Sequence, residues 1–181
     1  MKEIKLPGGE ILCIREAESQ DAENLISYLN QVGGESDNLL FGKDEFGMTA
    51  KEESAFIERM KNMPNMIMVL GIINGKIISC AQVSQRGPRR RITHRGAIAI
   101  SVKKAFWGKS VGSEITKCLL EYAKQFGIEI VELEVKSDNL AAIALYEKMG
   151  FEKVGQYQKF FKFDDGTYAD ADVMQCFLKD K

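Results

Sequence analysis

The chain has 181 residues, 45% hydrophobic and 28% charged, with a net charge of -1. That is enough for one domain with a sizeable core, and the charge balance gives no global electrostatic case for nucleic acid or a membrane surface as partner. The best apolar run, Met66 to Ile73, is strand-sized rather than bilayer-spanning, and Met1-Lys2-Glu3-Ile4-Lys5 holds no apolar leader core. Cys13, Cys80, Cys118 and Cys176 form no close pair, and His94 is the only histidine, so no metal site is expected and the thiols read as reduced in a cytoplasmic protein.

No repeat, low-complexity segment or linker divides residues 1–181, so one domain is expected. Ile11 to Ile14 reads as a short strand. Ser19 is placed to cap a helix to about Gln31, with Leu25, Ile26 and Leu29 on its apolar face and Gly33-Gly34 as its stop. Glu35 to Gly47 is a polar loop. Thr49 and Glu52 form a capping box for a second helix that carries Phe56, Ile57 and Met60 and closes at Met63-Pro64. Two strands, Met66 to Ile73 and Lys76 to Ser84, flank Asn74-Gly75, a pair suited to a turn that needs positive φ twice. Arg86 to Arg91 is a basic loop. The next strand, about Thr93 to Val102, sets Ile98, Ile100 and Val102 on one face and the small Ala97, Ala99 and Ser101 on the other. A helix then places Val111, Ile115, Cys118, Leu119, Tyr122 and Phe126 at helical spacing and stops at Gly127. Ile130 to Val135 alternates as a strand, parallel to the previous one through the helical crossover. Ser137-Asp138-Asn139 caps a helix to Met149, and two last strands, roughly Glu152 to Phe163 and Tyr168 to Leu178, flank Asp164-Asp165-Gly166. The order of elements implies one mixed sheet with helices on both faces.

The chemistry concentrates where a strand passes through Val102 to Ser113 into a helix. Amides at a helix start have no partner within the helix, and the helix dipole adds positive charge there, so a phosphate or pyrophosphate is the expected guest. Gly108-Lys109-Ser110 is not a P-loop, because Lys103 stands where that motif needs glycine. A dinucleotide fold is excluded too, since GxGxxG is absent and the elements run in the wrong order.

Val102 to Ser113, together with Val135-Lys136-Ser137-Asp138-Asn139-Leu140-Ala141-Ala142-Ile143-Ala144-Leu145-Tyr146-Glu147-Lys148-Met149-Gly150-Phe151, resembles the bacterial-type GNAT acetyltransferases. The family pattern is a Val-ended strand, a Q/R-x-x-G-x-G/A turn and N-x-x-A-x-x-L-Y-x-x-x-G-F. The last motif matches at every position, and the element order extends the resemblance over about residues 10 to 178. The turn departs from the pattern: Trp107 replaces Gln or Arg, and Ser110 replaces the middle glycine, which matters only if that position needs positive φ.

The resemblance implies an α/β, mostly antiparallel mixed sheet of about six to seven strands. It implies acetyl-coenzyme A as cofactor and a small-molecule or peptide amine as acceptor, with a homodimer compatible. The pyrophosphate would lie on amides of Trp107, Gly108, Lys109, Ser110, Val111, Gly112 and Ser113. The pantetheine arm would pair with backbone at Ile100, Ser101 and Val102. Asn139 and Tyr146, near two helical turns apart, would face the thioester. Tyr146 is the general-acid candidate and a backbone N–H of Ile100 or Val102 the oxyanion donor. The family's usual strand Glu is replaced by Ala97, so Glu134, then Glu132 or a water chain, becomes the base. Glu35 and Asp37 would line the acceptor pocket. Plainer readings stand beside these: Tyr146 as a core aromatic, Asn139 as a helix cap, the Arg86 to Arg95 cluster as a solvated hairpin end. The ribosomal-protein and polyamine acetyltransferase branch is the nearest in pattern. The rival function is a non-catalytic acyl-coenzyme A sensor on the same fold.

Overall fold

A computed structural model describes residues 1–178. In chain order it forms β1 (Lys2–Lys5), β2 (Ile11–Glu16), α1 (Ala22–Gly33), α2 (Ala50–Asn62), β3 (Met66–Ile73), β4 (Lys76–Gln85), β5 (Arg95–Val102), α3 (Val111–Gln125), β6 (Ile130–Lys136), α4 (Leu140–Lys148), β7 (Glu152–Lys162) and β8 (Tyr168–Phe177). All eight strands join one sheet in the order β1-β2-β3-β4-β5-β6-β8-β7. The sheet is one strand larger than the upper expectation. The addition is β1, whose Lys2-Glu3-Ile4-Lys5 carries a single apolar residue and therefore no period-2 signal.

Two apolar layers sandwich the sheet. On one face, α3 buries Val111, Ile115, Cys118 and Leu119 against Leu12, Ile14, Val69, Ile98, Val131 and Leu133, with Tyr146 and Met149 of α4 at the margin. On the other, α1 and α2 bury Leu25, Tyr28, Leu29, Val32, Ile57 and Met60 against Met68 and Leu70. Tyr28, rather than Ile26, belongs to the buried stripe of α1. The helix also starts later than Ser19. Asp21 accepts the Glu18 amide at 2.8 Å and both guanidinium nitrogens of Arg15 at 2.6 Å, which winds Ser19–Asp21 as a 3-10 turn first. The Thr49–Glu52 capping box forms, and Asn74 and Gly75 both take positive φ, 49° and 73°.

Every strand pairing is antiparallel except β5 with β6, which is parallel and covers only Arg95↔Ile130, Gly96↔Val131 and Ala97↔Glu132. Beyond Ala97 and Glu132 the two strands part, leaving a notch in the middle of the sheet. An ion cluster fastens its apex. The 5%-exposed Glu132 pairs with Arg95, with Arg86 Nε at 2.6 Å, and with Gln175 Nε2 at 2.7 Å. Burial alone would raise its pKa, but the Arg95 hydrogen bond and the two cationic charges win and hold the carboxyl below its ordinary range.

Glu132→Gln should therefore destabilise the protein by roughly 2–3 kcal/mol in urea denaturation, mostly through Arg95, because Arg86 is half in solvent. The wild-type contribution is full above the ordinary carboxyl value of 4.5 and is lost as pH falls through the lowered one, so the stability gap to the variant should close in acid.

Candidate active site

The direction of each peptide group in β5 follows from its partners. The Lys103 amide donates to Ile78 O at 2.9 Å, so the carbonyl of the same peptide, Val102 C=O, points away from β4 into the notch. Ser101 C=O accepts the Ser79 hydroxyl at 2.8 Å on the β4 side, so Val102 N–H also points into the notch. By the same alternation the N–H and C=O of Ile100 face it. Ser101 does not, which corrects its expected place: its hydroxyl lies 2.9 Å from Tyr28 Oη on the opposite sheet face. Polar backbone groups thus line one wall of the notch without a strand to pair with.

The turn at the open end of the notch is built as an amide nest. Gly108 and Ser110 take φ of 72° and 67°, and Ser110 is the N-cap of α3. The amides of Val111, Gly112 and Ser113 then lie in the first helical turn with no carbonyl four residues back within the helix. Trp107 contributes no free amide, contrary to expectation, because its N–H donates to Lys104 O at 3.1 Å inside the preceding turn. Its indole N–H instead donates to Val102 O at 2.8 Å, closing the lip of the notch. Lys109 reaches over the Phe106 ring and stays half-exposed. Gly112 is needed for packing: a Cβ there would meet Leu145 Cδ1 of α4 at 2.9 Å.

Across the notch, Asn139 caps α4 through a 3.3 Å bond from the Ala142 amide. Tyr146 packs beside Phe151 at 5.6 Å between ring centres, and burial pushes its phenol up to about 12. Glu134 on β6 is exposed on the α1/α2 face, whereas Glu132 is neutralised at the apex and is no free base. Glu35 does not sit open in a pocket. Its two oxygens accept from the Gln31 side chain at 2.8 Å and the Lys104 amide at 2.6 Å, tying the loop after α1 to the anion turn. Asp37 is exposed farther along that loop. Sequence reasoning passes over Tyr28, which bonds Ser101 and accepts the Cys80 amide at 3.2 Å; its i, i+3, i+4 spacing with Leu25, Leu29 and Val32 was the available signal. The Cys80 thiol is pushed up to about 12 by burial, helped by the Glu53 charge, and is no nucleophile.

Residues 38–151 match the acetyltransferase (GNAT) family. The chain belongs to that family. Among solved structures, a GNAT acetyltransferase from Streptococcus pneumoniae superposes with a TM-score of 0.86 at 30% identity, covering 92% of this chain and 99% of that one. YncA of Salmonella typhimurium, solved with its cofactor acetyl-CoA, has a TM-score of 0.81 at 18% identity over 94% and 95% of the two chains. The N-alpha-acetyltransferase RimI of Mycobacterium tuberculosis is 31% identical over 101 residues, 56% of this chain and 60% of that protein's length. The GNAT fold is thereby shown, and among the described residues no helix is long and apolar enough to cross a membrane.

Left-handed backbone at a residue with a side chain costs of order 1 kcal/mol. Ser110→Gly should therefore raise the melting temperature slightly, with a gain of at most roughly 1 kcal/mol after the added chain entropy of glycine is subtracted. A lower melting temperature would mean that the hydroxyl holds the turn.

Proposed function

We propose that this GNAT protein transfers the acetyl group of acetyl-coenzyme A to a primary amine by direct attack on the thioester. The observation that carries this reading is the notch: the unpaired N–H and C=O of Ile100 and the N–H of Val102 at one wall, with Val102 C=O held by the Trp107 indole, and a nest of amides from Gly108 to Ser113 at its mouth. Such groups fit a ligand with amides along its arm and a pyrophosphate at its end. The coenzyme supplies an acyl group already activated as a thioester. YncA's bound acetyl-CoA and RimI's name as an N-alpha-acetyltransferase support the same assignment.

In this mechanism Glu134, directly or through water, takes the proton of the acceptor ammonium. The Ile100 or Val102 N–H faces the developing oxyanion. Tyr146 serves the departing thiolate. With the phenol near 12 and a thiol near about 8.5, complete proton transfer runs uphill, so Tyr146 acts as a hydrogen-bond donor. Asn139 stays with its cap and positions α4. Asp37, exposed on its loop, is assigned to the acceptor side, and Glu35 holds that loop in place.

A non-catalytic acyl-coenzyme A sensor is the second reading, favoured by Ala97 at the apex, where it faces a Glu132 neutralised by arginine. Free-thiol release from acetyl-coenzyme A, measured over a panel of primary amines, separates the two. Amine-dependent release is expected; tight coenzyme binding with no release on any amine would establish the sensor. Trp107, the chain's single tryptophan, reports binding by its fluorescence. Gly112→Asp should weaken coenzyme binding at least about tenfold, through the Leu145 contact and the added negative charge.

Tyr146→Phe should lower kcat by roughly 10- to 100-fold with coenzyme affinity unchanged. Because burial raises the phenol pKa, ionisation of Tyr146 should cause no fall in kcat around pH 10, where an ordinary tyrosine loses its proton. Unchanged kcat in the variant removes the donor role.

A further inference from the structure

The sheet face beyond Glu134 has a shape that the transfer reaction alone does not require. Three cross-strand rows run from β6 through β8 to the edge strand β7 on the face that α1 and α2 leave uncovered. The first is Glu132–Gln175–Glu152, in which Glu132 and Gln175 belong to the apex ion cluster and Glu152 is exposed at the β7 end. The third is Lys136–Ala171–Tyr157, with Phe161 next along β7 opposite Ala169. The middle row is Glu134–Val173–Gly155. Gly155 supplies no side chain, and a Cβ built there meets nothing within 4 Å. The middle row is therefore a trough. A carboxylate stands at its notch end, Val173 lies in its floor, and aromatic rings form its upper wall.

That wall is apolar and ordered. Tyr157 and Phe160 stack at 5.6 Å, Phe160 meets Phe161 edge-on at 5.2 Å, and Phe161 lies parallel to Phe163 at 6.4 Å. Lys136 Nζ sits over the Phe163 ring at 5.4 Å and 2.8 Å from Asp138 Oδ2, so its charge is drawn away from the trough. Tyr157 is still 49% exposed, which leaves a large ring available at the trough's edge. The trough is continuous with the notch, because Glu134 belongs to both.

We propose that this trough is the acceptor subsite and that the acceptor is a primary amine carrying an apolar body about the size of a phenyl ring, seated over Val173 and Gly155 against Tyr157 with its ammonium toward Glu134. The assignment rests on the acetyl-transfer reading for its chemistry, and on the trough alone for its selectivity. A linear polyamine fits the trough less well: it brings no ring to set against Tyr157, and the exposed carboxylate of Glu152 stands in the first row, outside the trough. A phenyl-sized body removes apolar surface from water on both partners.

The test is binding of matched amines to the protein saturated with coenzyme A, by calorimetry, alongside turnover with acetyl-coenzyme A. Phenethylamine is expected to bind at least about tenfold tighter than ethylamine and tighter than butane-1,4-diamine. Tyr157→Ala, which removes the wall, and Gly155→Leu, which fills the floor from an open position, should each shrink the phenethylamine-to-ethylamine ratio severalfold. Equal binding of the two monoamines, tighter binding of the diamine, or a ratio unmoved by both variants overturns the proposal. Absence of turnover on every amine, with the binding preference intact, refutes the transferase reading and leaves the trough as a binding site.

Discussion

The molecule depends on the loss of pairing between β5 and β6. Three parallel pairs close the sheet, and then the strands diverge with their inner backbone groups unmatched. Buried backbone donors and acceptors are rarely left alone, because each unmade bond costs about 1–3 kcal/mol. A sheet opened in this way holds only if its apex is fastened and its open walls are given partners. Glu132 with Arg86, Arg95 and Gln175 does the first. Trp107 does part of the second, by giving Val102 C=O an indole donor. What remains unmatched, Val102 N–H and the groups of Ile100, is the part that the amides of the proposed coenzyme would complement.

The two helical layers transmit position to this gap from opposite sides. Tyr28 of α1 reaches through to Ser101 and Cys80, so the helix layer is hydrogen-bonded to the strand that forms the notch wall. Glu35, just past the same helix, bonds the amide of Lys104 at the start of the anion turn. On the opposite face, the contact distance at Gly112 brings α3 and α4 together around Leu145. The notch, the turn and the loop after α1 are thus linked by short bonds.

Much of this was legible in the sequence, for local reasons. The Asn74-Gly75 turn, the Thr49 cap and the stop at Gly127 each follow from backbone chemistry confined to a few residues. The strand–turn–helix order at Val102 to Ser113 is read from the change of apolar period, and the face of small residues on β5 from alternation. The rest is non-local. Ser79 donates its hydroxyl to the Ser101 carbonyl across a strand pair, and nothing in either neighbourhood says that the Ser101 hydroxyl is claimed by Tyr28, 73 residues away. Glu132 and Glu134 are equivalent in an alternating strand; only the arginines brought in by β4's end and β5 make one an apex clamp and leave the other exposed. Gly155 reads as an ordinary strand glycine until β8 and β6 are placed beside it.

The two departures of the turn from the family pattern have different physical weight. Gln, Arg and Trp all present a side-chain N–H donor, so Trp107 keeps a hydrogen bond to Val102 O available while changing the shape and polarity around it. The need met is satisfaction of a carbonyl that the divergent strands expose, and more than one residue type meets it. Ser110 differs because its position is set by backbone rather than by side chain. At φ 67° the amide nest exists only if this residue is left-handed, and serine reaches that region at a cost that glycine does not carry. The strain is tolerable because the following helix holds it from one side, through the Glu114 amide on Ser110 O at 3.1 Å, and Gly108 relieves the other. A turn with one glycine fewer is therefore stiffer: under the proposed binding of a pyrophosphate there, part of the ordering of its amides would already be present in the fold.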